Sequence, residues 1–94
     1  MYKRPFYETV KLADIYSQEW LHMSNTESAK PKNLMPYLVK MGVFTHDRRE
    51  GLPLRDILRT LDKRNQLNLI RGTVAERKDK NTYWLIRRVQ LENY

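Results

Sequence analysis

Hydrophobic positions in residues 52–89 first recur every three or four residues and then alternate. The apolar positions of the first part fall at i, i+3, i+4 and i+7, and they are Leu54, Ile57, Leu58 and Leu61. This spacing predicts a helix over Pro53–Arg64 that buries one stripe, with proline at a favourable first position. The strand-like runs Leu67–Arg77 and Thr82–Val89 follow, separated by a polar stretch at 78–81. They predict a β-hairpin directly after the helix.

Two further helices are predicted upstream. The first covers residues 8–23, where the large apolar side chains with helical spacing are Leu12, Tyr16, Trp20 and Met23. We expect this stripe to pack in the core, with a homodimer interface through Tyr16 and Trp20 as the alternative. The second is Leu34–Met41, with Asn33 as N-cap and Gly42 as a left-handed stop. Residues 24–32 are predicted to be a loop, and Val43 with Phe44 a short strand.

The two faces of the hairpin can be assigned if Arg77 lies opposite Thr82 across the turn. The face predicted to cover the core carries Ile70, Val74, Tyr83, Leu85 and Val89. The face predicted to be basic around an indole carries Arg71, Thr73, Arg77, Trp84, Ile86 and Arg88. A loop one residue longer or shorter would exchange the two faces. Gly72 is a candidate position for a bulge.

Three helices, the last leading into a two-stranded wing, give a chain that resembles the winged helix-turn-helix class over residues 8–89. The resemblance implies a small α+β domain, winged-helix-like, with a C-terminal two-stranded β-hairpin. We divide the single domain 1–94 into an arm (1–7), a helical part (8–64), the hairpin or wing (67–89) and a tail (90–94). The connector from Gly42 to Leu52 exceeds the three or four residues of a tight helix-turn-helix. Either a short strand and turn fill this connector, or the chain is a divergent member of the winged helix-turn-helix class.

Charge is distributed unevenly along these 94 residues, which carry a net charge of +7 and no cysteine. Residues 1–29 have three basic and four acidic side chains, net −1, whereas residues 30–94 have fifteen and seven, net +8. This asymmetry favours a polyanionic partner for the C-terminal two-thirds. The absence of cysteine excludes disulfides and thiolate metal sites. The sequence has no signal peptide or membrane-spanning run, so we expect a cytoplasmic protein that does not contact membrane.

The candidate nucleic-acid contacts lie on the third predicted helix, on the hairpin and at its tip 77–81. They are Arg55, Arg59, Lys63, Arg64, Arg71, Arg77, Lys78, Lys80 and Arg88. Residues four apart share a helix face, so 55, 59 and 63 form a basic row that could grip phosphates or read guanine edges. DNA is the expected partner, with RNA as an alternative. The row could equally be a solvated helix face, and the scaffold could be a protein-interaction module with Trp84 or Trp20 at the contact.

We expect a non-enzymatic protein without a cofactor. One remote alternative is a metal-dependent nuclease, because Glu76 and Lys78 match the hydrophobic–Glu–x–Lys pattern of such enzymes. That chemistry needs a second carboxylate, and Asp62 is the nearest upstream acid. The two histidines, His22 and His46, lack the spacing of a zinc site, so no metal ligands are predicted.

Overall fold

The computed structural model describes residues 4–90, and within that range three helices and a three-stranded antiparallel sheet form an α+β fold. In chain order the elements are α1 Phe6–Met23, β1 Ser28–Ala29, α2 Pro31–Lys40, α3 Leu52–Lys63, β2 Thr73–Arg77 and β3 Thr82–Arg87. A short 3₁₀ turn, Leu67–Leu69, joins α3 to the sheet. The predicted fold class, three helices with a C-terminal hairpin, is confirmed.

Helix α3 follows the sequence pattern closely. All four apolar positions of its stripe are buried, namely Leu54, Ile57, Leu58 and Leu61. The helix starts one residue before Pro53 and ends at Lys63, and Asn65 then takes a left-handed conformation with φ +57°. Because the stripe faces the core, the polar side of the helix is left toward solvent.

Helix α1 is rotated relative to the predicted stripe. Its buried apolar positions are Val10, Ala13 and Leu21, accompanied by Ser17. Tyr16 and Trp20 are only half-buried at the edge of the core, and the burial predicted for Met23 is wrong because its side chain is 63% exposed. Small side chains at 13 and 17 allow close packing against the neighbouring elements, and Tyr16 and Trp20, one turn apart, lie together along one edge of the buried stripe. The helix begins at Phe6, which shortens the predicted arm; residues 1–3 lie outside the described part.

Helix α2 starts three residues earlier than predicted, at Pro31, with Lys30 rather than Asn33 as its N-cap residue. Proline at the first helical position loses no intrahelical hydrogen bond, which explains this start. Gly42, with φ +79°, follows the helix as predicted. The segment predicted as a strand at Val43–Phe44 is irregular, and Val43 contributes a buried side chain to the core instead.

The predicted loop 24–32 contains the two-residue strand β1. Ser28 and Ala29 pair antiparallel with Arg87 and Ile86, so β3 is the central strand of the order β1-β3-β2. The predicted first strand is also shorter than expected, since residues 67–69 form the 3₁₀ turn and β2 begins only at Thr73.

The predicted hairpin register is confirmed, but its faces were assigned to the wrong sides. Arg77 pairs with Thr82, and the turn 78–81 closes with a 2.8 Å hydrogen bond from the Lys78 N–H to the Asn81 carbonyl. Trp84 and Ile86 are buried, whereas Val74 and Tyr83 are 39% and 57% exposed.

Gly72 explains this error. Its φ is +80°, and its Cα lies so close to the backbone of Arg87 that a Cβ would collide with it. Buried Ile70 therefore lies before a break in the alternation, and its side cannot be carried forward to Val74. The predicted tail begins at Gln90, and its residues 91–94 lie outside the described range.

A buried amide joins α1 to the end of the sheet. Gln18 donates from Nε2 to the carbonyls of Arg71 and Arg87 at 3.0 and 2.9 Å, and its Oε1 accepts the Val89 N–H at 3.0 Å. Its side chain is almost completely buried. These three bonds fix where the hairpin lies relative to the helices.

Candidate nucleic-acid interface

A surface groove lies between the N-terminal ends of α2 and α3 on one side and the hairpin tip on the other. Its volume is about 680 Å³. Among the described residues, its lining includes six basic side chains, those of Lys30, Lys32, Arg49, Arg55, Arg59 and Lys80. Glu50 is the acidic residue in the same lining. We call this feature the basic groove.

Helix α3 supplies Arg55 and Arg59 to the basic groove. Because its leucine stripe is committed to the core, these two residues, one turn apart, lie on the polar side. The Arg55 guanidinium donates from Nη2 to the Arg49 carbonyl, and its Nε is buried without a hydrogen-bond partner among the described residues. Arg59 donates to the carboxylate of Asp56 at 2.7 Å. This pair is half-exposed, so solvent screens it and a competing anion can replace it.

The connector before α3 brings Arg49 to the groove through an unusual backbone path. Arg49, Glu50 and Gly51 all have positive φ, at +47°, +51° and +100°. The Asp47 carboxylate accepts the Gly51 N–H at 2.8 Å, and a Cβ on Gly51 would lie 2.7 Å from the backbone nitrogen of Lys32. Only glycine allows the connector to approach α2 this closely. The long connector is therefore folded against the start of α2.

The hairpin tip forms the opposite wall. Lys80 lies in the turn, and Trp84 lies further along β3 with only 5% of its surface exposed. The indole belongs to the core, so it is not free to stack on a base or to form a protein contact. The exposed aromatic residue of this strand is Tyr83, which pairs with Glu76 across the hairpin and also lines the groove.

Two predicted contact residues bind α1 instead of lining the groove. The Arg64 guanidinium lies 5.1 Å from the ring centre of Phe6 and donates to the Tyr7 hydroxyl at 3.0 Å. Arg71 forms an ion pair with Asp14 at 3.0 Å, and its backbone N–H donates to the same carboxylate. Both side chains thus stabilise the packing between α1 and the segment after α3.

The other predicted residues are also distributed away from the groove. Arg88 donates to Asn25 at 2.7 Å near the end of α1, and Lys63 lies exposed on the last turn of α3. Arg77 reaches back to α3 and pairs with Asp62 through two bonds of 2.8 and 2.9 Å. The structure therefore brings Arg55, Arg59 and Lys80 together and places the remaining six predicted residues elsewhere. Their contact with nucleic acid stays a prediction.

Ion pairing shifts the pKa values of four groups at the hairpin. The hydrogen bond from Arg77 lowers the pKa of Asp62, and that bond raises the pKa of Arg77 in turn. The hydrogen bond from Lys78 lowers the pKa of Glu76, and the pKa of Lys78 is raised by the same contact. These pairs offset the positive charges of Arg77 and Lys78 where the turn begins, whereas Lys80, also in the tip, lies in the groove.

The residues of the nuclease alternative are not brought together. Glu76 pairs with Lys78 at 2.8 Å on one face of the hairpin. Its neighbour Arg77 points to the other face, where it binds Asp62. The two carboxylates therefore lie on opposite sides of β2, and residues 4–90 contain no group of three His, Cys, Asp or Glu side chains placed to hold a metal ion.

Three groove residues, Lys30, Lys32 and Arg49, were missed by sequence reasoning. The first two were assigned to a polar loop and the third to a charged connector, so no periodic pattern selected them. The signal that included them was the net charge of +8 over residues 30–94. Such a signal identifies a charged region but not which side chains share a surface.

Comparison of the chain with protein-family models, with curated proteins and with solved structures found no match in any of the three. Among the helices of residues 4–90, none combines the length and the apolar character needed to cross a bilayer.

Proposed function

We propose that the protein is a non-enzymatic DNA-binding domain of the winged-helix type and that it binds DNA in the basic groove. The observation that carries this proposal is the convergence of six basic side chains from α2, the connector, α3 and the hairpin tip on one surface. DNA presents closely spaced phosphate charges, and cations on one face of a protein are the usual means of binding them.

The arrangement of elements supports the winged-helix interpretation. Helix α3 is followed by the hairpin of β2 and β3, and the short strand β1 between α1 and α2 completes the sheet on the far side of β3. In such a domain the third helix and the hairpin tip lie side by side and can contact one nucleic acid together. Here the basic groove is the space between these two elements.

Charge complementarity gives the expected strength of the interaction. Each phosphate neutralised by lysine or arginine releases condensed counterions, so the affinity depends on how many cations reach the backbone. The groove offers up to six. Arg59 and Lys80 contribute from opposite walls, so a strand lying between them would meet positive charge on both sides.

The proposal is tested by fluorescence anisotropy with a labelled DNA duplex at low salt. We expect the wild-type protein to bind, and Arg59→Gln to weaken binding roughly tenfold at about 50 mM salt, which is the counterion contribution of one lost phosphate contact. Lys11→Gln is the matched control, because Lys11 is exposed on α1 and carries the same charge. No binding by the wild type, or equal weakening by both substitutions, would contradict the proposal.

A further inference from the structure

The side chains of α3 that face solvent are poorly placed to read bases. Bidentate recognition of guanine by arginine requires two N–H donor groups of the guanidinium that are free to bind the base. In Arg55 the Nη2 group already donates to the Arg49 carbonyl, and in Arg59 the Nη1 group already donates to the Asp56 carboxylate. Asp56 and Asp62 also put two carboxylates on this helix, and both would lie close to phosphates if α3 entered the major groove.

The lysines of the basic groove are differently placed. Lys32 on the α2 wall and Lys80 on the hairpin wall are both exposed, and neither takes part in an ion pair among residues 4–90. An ammonium group on a flexible stem suits a phosphate, which requires charge rather than a planar pair of donors. The available charge in the groove is therefore of the kind that contacts backbone and not base edges.

The aromatic residues of the groove favour a duplex over a single strand. Proteins that bind single strands usually stack the bases on exposed aromatic rings. Trp84 is buried in the core, so among the described residues that line the groove Tyr83 alone offers an exposed ring, and one ring cannot stack successive bases. A duplex needs no stacking surface, because its bases are already paired and its phosphates lie outside.

We infer that one phosphate backbone of a DNA duplex lies in the basic groove between Lys32 and Lys80, and that the protein binds duplex DNA with little sequence preference. This inference rests on the proposed function. It assigns α3 the role of one wall of a backbone clamp, with Arg55 and Arg59 facing phosphates, and not the role of a helix that reads the major groove.

The test compares two double variants that lose the same charge. Lys32→Gln with Lys80→Gln removes one ammonium from each wall of the groove. Lys11→Gln with Lys40→Gln removes one from α1 and one from the end of α2, both outside the groove lining. All four side chains are exposed, and the folding of each variant is checked by circular dichroism and thermal melting.

We expect the groove variant to lose roughly a hundredfold in duplex affinity at about 50 mM salt. The slope of its log affinity against log salt should become shallower by the contribution of about two phosphate contacts, whereas the affinity of the control should change only a few-fold. Competition with unrelated duplexes should give equal affinities, and single-stranded DNA should bind more weakly. The inference is overturned if the control variant loses as much affinity as the groove variant or more. It is also overturned if one duplex sequence is bound more than about a hundredfold tighter than others, or if single strands bind best. Absence of any DNA binding by the wild type would instead refute the proposed function itself.

Discussion

Replacing Gly51 by alanine tests the role of the connector in building the groove. The backbone at this position has φ +100°, which an L-residue adopts at a cost of roughly 1–2 kcal/mol. The added methyl would also lie 2.7 Å from the Lys32 nitrogen and 2.9 Å from the Pro31 carbonyl carbon. Both contacts are with backbone, which cannot rotate away, and such overpacking costs roughly 1–3 kcal/mol. We therefore expect Gly51→Ala to lower the free energy of unfolding by about 3 kcal/mol.

Gly42→Ala is the matched control. Its φ is +79°, so the backbone strain is similar, but a Cβ there would have no atom within 4 Å. The expected loss is about 1 kcal/mol. Urea unfolding followed by tryptophan fluorescence measures both losses, and in a domain of this size they correspond to falls in Tm of about 15 °C and about 5 °C.

The difference between the two losses of stability measures how closely the connector packs against α2. Equal destabilisation by Gly42→Ala and Gly51→Ala would show that only backbone conformation matters and that the connector is not packed against α2. A neutral Gly51→Ala would refute the connector path altogether.

Three further predictions concern the rest of the fold and the hairpin. Gln18→Leu leaves the carbonyls of Arg71 and Arg87 and the Val89 N–H without their buried partner. The free energy of unfolding, measured by urea titration, should therefore fall by about 3 kcal/mol. A loss under about 0.5 kcal/mol would contradict the role of this side chain. Because the pKa of Asp62 is held below its usual 3.8 in the folded state, the stability it contributes is complete above that value and is lost as the pH falls through the lower folded-state value. Asp62→Asn should therefore show a flatter loss of stability than the wild type below about pH 4 in acid titrations, and parallel curves would refute the pair with Arg77. Trp84→Ala should lower the free energy of unfolding by about 3–5 kcal/mol, whereas Tyr83→Ala, on the exposed face, should cost less than about 1 kcal/mol; the reverse order would restore the opposite assignment of the hairpin faces.

The elements defined by local periodicity could be predicted from the sequence. The buried stripe of α3 was predicted correctly, because its four apolar residues have no competing arrangement on a helix. The pairing of Arg77 with Thr82 also followed, since the polar stretch between the runs fixes the turn. Apolar residues on both faces of the hairpin left its core side ambiguous, and the break at Gly72 led to the wrong choice.

The features that depend on contacts distant in sequence could not be predicted. Strand β1 consists of two residues and exists only because it pairs with β3. The basic groove combines residues from α2, the connector, α3 and the hairpin, and the connector at Gly51 packs against the first turn of α2 next to Lys32. Neither arrangement leaves a periodic signal in the chain.

A salt titration of the wild-type protein on a labelled duplex tests whether the basic groove binds DNA through phosphates. If most of the six cations each neutralise one phosphate, the logarithm of the association constant should fall linearly with the logarithm of the salt concentration, with a slope of about −4 to −5. Absence of binding at the lowest salt concentration, or an affinity that does not change with salt, would show that the groove does not bind DNA through phosphates.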